Sequence, residues 1–233
     1  MDNCETCLVR NRAICSALEP DELRDLSRIG RTIGIEKGET VIWEGDDAPI
    51  VANVVEGMLQ LSTSTSDGRE QIVGVVYPSD FIGRPFGATS GNSVTSLTDA
   101  RLCVFTRAAF DRFAQDHPKL EHELLTRTLS ELDRARQWLL FVGQRSASER
   151  VASFLLEMSR KLSRETCIAA PVPLDRFDLP LGRRQIADIL GLTIETVSRQ
   201  LRRLRDRKII DVPGRRTIEI QDRNALEHES GRD

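Results

Sequence analysis

"RRQIADILGLTIETVSRQLRRLRDRKII", Arg183 to Ile210, carries two apolar periods separated by one glycine. In the first, Ile186, Ile189 and Leu190 supply an inward face, and Ala187 is small enough to admit a crossing helix. Gly191 and Leu192 make the turn, and Thr193 stands where a second helix needs its cap. Ile194, Val197, Leu201 and Leu204 then recur at 0, 3, 7 and 10, which predicts one buried stripe. Glu195, Ser198 and Arg199, at 0, 3 and 4, share another face and project together. Behind them, "IIDVPGRRTIEI" predicts a β-hairpin wing turning at Pro213 and Gly214.

A helix of this kind suits a major groove, entered by its N-terminal turns. Arg199 can donate a bidentate fork to guanine, Glu195 can accept from cytosine N4, and Ser198 can bond a base edge. A carboxylate on that face is costly against phosphates alone, so Glu195 argues for direct base reading. Arg202 and Arg203 are expected on phosphates, and Thr193 joins the contact surface as the helix cap. Charge agrees: residues 183–216 hold ten basic against four acidic side chains, while the remainder holds 23 against 32. A basic segment on an acidic body implies a polyanionic partner for that segment.

Upstream the pattern changes. "RTIGI", "ETVIW", "VANVV", "MLQLST", "REQIVGVV", "SVTSL" and "RLCVF", between Arg31 and Thr106, are short apolar runs separated by turn residues such as "EGDD", "SDG" and "YPSD". They predict an all-β jelly roll. After Pro118, Leu125, Thr128, Leu132, Ala135, Leu139 and Val142 step by 3, 4, 3, 4, 3, a narrow seam suited to the same helix of a second copy. Gly143 is expected to break that helix, with "SASER" (Ser146 to Arg150) capping the next one. The chain therefore reads as an α+β protein. A cysteine-bearing segment (1–30) precedes a β jelly-roll domain (31–116), a long dimerisation helix (117–144) and a winged helix-turn-helix (145–233).

No signal-type or membrane-spanning apolar run occurs, so a cytoplasmic protein is expected. Among five cysteines, Cys4, Cys7 and Cys15 have the spacing C-x2-C-x7-C, and Cys103 lies on the last predicted strand before the long helix. An odd cysteine count in a reducing compartment disfavours disulfides. Four thiolates could equally serve structural zinc or a [4Fe-4S] cluster. A jelly-roll enzyme of the cupin kind would need clustered histidines, and His117, His122 and His228 all fall outside the strands, so no enzyme is expected. Haem ligation through Cys103, His117 or His122 is a further possibility.

A β-rich domain, one long helix and a winged helix-turn-helix carrying "ETVSR" together resemble the CRP/FNR superfamily of bacterial transcription regulators over nearly the whole chain. The Glu-x-x-Ser-Arg triplet, Glu195, Ser198 and Arg199, is similar to the FNR-type signature. That resemblance implies a homodimer reading palindromic double-stranded DNA built from TTGAT-like half-sites, with RNA polymerase as a further partner. It also implies that Cys4, Cys7, Cys15 and Cys103 hold a [4Fe-4S] cluster that responds to oxygen. The x7 gap resembles the FnrL- and FnrN-like branch. The CRP-like nucleotide pocket has a glutamate after "FIG" and an Arg-Ser pair. Here Arg84 follows "FIG" and no arginine accompanies Ser93, so no cyclic nucleotide is expected. FNR relatives place a repelling aspartate on the seam, where this chain has Ala135. The competing reading is a regulator of the same architecture that senses through haem or a zinc-thiolate site, or that pairs constitutively.

Overall fold

The computed structural model describes residues 4–47, 49–64, 70–163 and 172–231, without the side chains of residues 5, 138, 140 and 142. Two compact units are formed, Met1–Asp133 and Arg134–Asp233. The first opens with two 3-10 turns, Cys4–Thr6 and Ile14–Ala17, followed by helix α1 (Pro20–Ile29). Proline in the first turn and a reciprocal Glu19/Glu22 capping box account for where α1 starts. Its apolar stripe, Leu23, Leu26 and Ile29, is too short to mark a helix by period alone.

Eight strands follow: β1 (Gly30–Ile35), β2 (Thr40–Ile42), β3 (Ile50–Glu56), β4 (Leu59–Ser64), β5 (Glu70–Val76), β6 (Phe81–Ile82), β7 (Ser93–Ser96) and β8 (Ala100–Thr106). They form two antiparallel four-stranded sheets in the orders β1-β8-β3-β6 and β2-β7-β4-β5, the jelly roll expected from the apolar runs. Ile35, Ile42, Val54, Leu59, Leu102 and Val104 fill the space between them. Strand alternation sends the other residues of β3 and β8 to the outer face of the first sheet. There Val51 and Phe105 pack with Leu23 and Leu26 of α1, Phe110 of helix α2 (Arg107–Gln115) and Leu120 of helix α3 (Pro118–Gln144).

Helix α3 runs through Gly143 and ends at Gln144, which corrects the expected break. One interior glycine costs a helix only about 1 kcal/mol relative to alanine, too little to stop a run of this length. Ser146 then caps helix α4 (Ala147–Lys161), its Oγ accepting from the Glu149 N–H at 3.3 Å while Glu149 accepts from the Ser146 N–H at 2.6 Å. The second unit begins at Arg134, inside α3.

The rest of that unit comprises strand β9 (Arg176–Asp178), helices α5 (Arg183–Leu190) and α6 (Ile194–Asp206), strands β10 (Ile210–Asp211) and β11 (Thr217–Ile220), and helix α7 (Arg223–Glu229). The expected wing is present, with Ile210 opposite Ile220, and β9 adds a third strand in the order β10-β11-β9. Phe177 is the only buried residue of β9, too short a signal to read as a strand in advance. Among the described residues, no helix is long and apolar enough to cross a membrane.

Candidate functional site

Helix α6 is capped by Thr193, whose Oγ1 accepts the Thr196 N–H at 3.2 Å. The preceding turn depends on Gly191, which has φ +61° and ends α5 in the left-handed region that a side chain resists. Val197, Leu201 and Leu204 are buried, and Glu195, Ser198, Arg199 and Arg202 are exposed on the opposite side, as their spacing predicted. Ile194 departs from the expected stripe. It is 40% exposed, at the first residue of α6. Bonds to its own backbone N–H and to the Thr193 hydroxyl hold the Glu195 carboxyl below its usual range, so it is an ionised acceptor.

The arginines divide. Arg203 lies 3.7 Å from Glu229 of α7, and Arg207 donates to the same carboxylate, so both brace α6 against α7 within the unit. Arg202 is exposed, as is Arg199. A hollow of about 200 Å³ between the wing and the start of α5 is lined by Arg183, Arg215 and Arg216 with Leu179, Leu181 and Ile186. One terminal nitrogen of Arg183 is buried there without a hydrogen-bond partner, and burial lowers its pKa. A donor left so is suited to an anion from outside the chain.

Far from this surface in sequence, Cys4, Cys7, Cys15 and Cys103 line one cavity of about 20 Å³, walled by Val9, Leu23, Leu26, Val55 and Phe105. Cys103 reaches it because β8 alternates: Leu102 and Val104 face the jelly-roll interior and Cys103 the outer surface. The other three thiols arrive on the irregular N-terminal segment, with Cys15 bonded to the Arg10 carbonyl at 3.7 Å. Burial first, then the neighbouring sulfurs, push Cys15 up to about 11 and Cys103 up to about 12. Burial and Cys7 likewise raise Cys4. Thiols so placed resist ionising unless a positive centre enters among them. Asn53 shares the cavity, and its Oδ1 is buried without a partner. Apolar walls, four sulfurs and an uncompleted amide fit an iron-sulfur group. Among the described residues, no three His, Cys, Asp or Glu side chains are arranged to hold a single metal ion. Cys167 lies outside the described residues.

On α3, Leu125, Leu129, Leu132 and Leu139 are exposed, Leu139 by 73%. Thr128 and Ala135 of the expected seam are also exposed, while the Val142 side chain lies outside the described set. Leu129 was missed because strict alternation of steps selects Thr128, whose hydroxyl instead bonds back to the Leu124 carbonyl at 2.8 Å. Arg127, on the other side of this helix, donates to the Ser79 carbonyl at 3.2 Å, to the Arg12 carbonyl and to Glu123 at 2.7 Å. It ties the cysteine segment to α3, and nothing in its sequence surroundings signals that.

Residues 149–229 match the Crp-like helix-turn-helix domain, and residues 33–117 match the cyclic nucleotide-binding domain. The transcriptional activator protein FnrL of Cereibacter sphaeroides is 40% identical over 100% of this chain and 94% of its own length. The chain belongs to the CRP/FNR family of DNA-binding transcription regulators. The nitrogen fixation regulation protein FixK of Bradyrhizobium diazoefficiens is 39% identical, covering 86% of this chain and 83% of that protein. The solved structure of FixK2 from Bradyrhizobium japonicum superimposes with a TM-score of 0.75 at 32% identity, covering 86% of this chain and 96% of that one. In this CRP/FNR protein, Ser93 Oγ accepts from the Glu44 N–H at 3.0 Å and Arg84 is exposed. His117, a candidate haem ligand, stacks on Phe113 at 3.9 Å and bonds its carbonyl at 2.6 Å, and it does not line the cysteine cavity.

Proposed function

We propose that this CRP/FNR protein is an oxygen-responsive transcription activator that holds a [4Fe-4S] cluster through Cys4, Cys7, Cys15 and Cys103. In this reading it pairs with a second copy along α3 in low oxygen, reads a TTGAT-type palindrome and engages RNA polymerase. The observation that carries it is the convergence of four sulfurs, distant in sequence, on one apolar cavity. Bound there, the cluster supplies iron and sulfide that oxygen can oxidise, releasing the thiolates.

The chain's own residues do the rest. Cys103 offers a fixed anchor on a central strand, and the three N-terminal cysteines bring the irregular segment down onto it. Arg127 passes the position of that segment to α3 through the Arg12 carbonyl. The exposed leucines of α3 then meet their counterparts in the second copy, burying apolar surface that water otherwise covers. A cofactor that binds one state better shifts the population toward it. In the paired state both α6 helices present Glu195, Ser198 and Arg199 to half-sites related by the same two-fold symmetry.

Purification without oxygen tests this directly. Broad sulfur-to-iron absorption that bleaches in air, with iron and acid-labile sulfide in equal amounts, is the expected result. A Soret band would overturn it in favour of haem, and a colourless, zinc-loaded protein would overturn it in favour of a zinc-thiolate site.

A further inference from the structure

Asn53 stands in the middle of β3 with Val51, Ala52, Val54 and Val55 around it, and it is only 3% exposed. Asparagine is depleted in strands, and an apolar residue of its size would fill this position with no polar atom to satisfy. Instead its carboxamide oxygen is buried with no hydrogen-bond partner. The residue lines the cavity shared by the four cysteines. It is paired across the sheet with Cys103 itself, so the two side chains lie opposite each other on the same outer face. A half-turn of the amide exchanges its oxygen for an NH2 group without moving anything else. The orphaned position can therefore present two N–H donors to an electron-rich atom in the cavity.

We infer that Asn53 donates a hydrogen bond to a sulfur of the group held by Cys4, Cys7, Cys15 and Cys103, and so sets how readily that group is oxidised. This rests on the iron-sulfur reading above. Hydrogen bonds to sulfur favour the electron-rich state, which raises the reduction potential and slows attack by oxygen. Asn53 is then a tuning residue, separate from the four ligands.

Two variants of nearly equal shape isolate the donor: Asn53→Val has none, and Asn53→Thr keeps an O–H in a β-branched side chain suited to the strand. All three proteins are purified without oxygen, assayed for iron and sulfide, titrated for reduction potential and exposed to air-saturated buffer. The expected result is that Asn53→Val has a lower potential and bleaches about 3- to 10-fold faster than the parent, the rate equivalent of one ordinary hydrogen bond. Asn53→Thr should fall closer to the parent. Metal-free Asn53→Val should melt at or above the metal-free parent, since it removes an unsatisfied buried group. Equal bleaching and equal potentials in the two variants would overturn the inference while leaving the cluster intact. A metal-free valine variant that melts well below the parent would also overturn it, by assigning Asn53 a purely structural role. A parent protein without iron and sulfide would bring down the cluster reading itself, and this inference with it.

Discussion

At the scale of single residues, variants of α6 and the wing can separate base reading from phosphate attraction by experiment. Arg199 is exposed on the face it shares with an ionised Glu195, so Arg199→Ala should cost about 1–3 kcal/mol on the preferred operator and relax the choice at one base pair. Arg215 belongs to the arginine-lined hollow beside the wing. Its alanine variant should weaken all sequences alike and flatten the slope of log K against log salt by about 0.9, the signature of one lost phosphate contact. Titrations of both variants against operator and scrambled duplexes at several salt concentrations check the pair. If Arg199→Ala weakened every duplex equally, it would be a phosphate contact. The shared exposed face was legible in advance because helical spacing alone brings Glu195, Ser198 and Arg199 together. Asn53 was not, because a lone polar residue in "VANVV" acquires meaning only when β8 sets Cys103 opposite it.

At the scale of elements, α3 carries two kinds of information on its two sides. Its leucines are exposed although a solvated helix gains nothing from them, Leu132 being 45% exposed at the middle of the row. Leu132→Glu should leave the protein monomeric in anaerobic sedimentation and abolish operator binding. A dimer that survived the charge would place the interface elsewhere. Arg127 sits on the inward side, and Arg127→Leu would strip donors from the Ser79 and Arg12 carbonyls. A loss of about 0.5–1.5 kcal/mol is expected, the net worth of an ordinary hydrogen bond, since the Ser79 contact is part-buried and the Arg12 contact exposed, together with faster proteolysis within residues 4–18. Urea denaturation and limited digestion of the metal-free protein measure both. Most of the exposed leucine row was readable because a heptad is a local pattern. The Arg127 clasp, linking residues 115 apart in sequence, has no local trace.

At the scale of the whole molecule, the regular parts of the fold were legible and the irregular ones were not. Seven of the strands announce themselves by apolar runs between turns, whereas β6 and β9 are short and depend on neighbours already in place. Acid should act on the second unit through Glu229. Its burial alone would raise its pKa, but bonds from Arg207 and Ser148, together with the charges of Arg207 and Arg203, lower it instead. The stability it contributes is present above the unfolded carboxyl range near about pH 4.3 and is lost as pH falls through the lower folded value. Glu229→Gln should therefore have a lower urea midpoint than the parent at pH 7, and the difference should shrink as pH falls below about 4.3. A gap that persisted at low pH would show that packing is the cause. The sheet order β1-β8-β3-β6 has one more implication, for the ribosome. Cys103 leaves it 88 residues after Cys15, roughly 4 to 18 s later at ordinary elongation rates. The first three sulfurs must wait through that interval, because the slot between β1 and β3 is filled by the last strand of the barrel to be made.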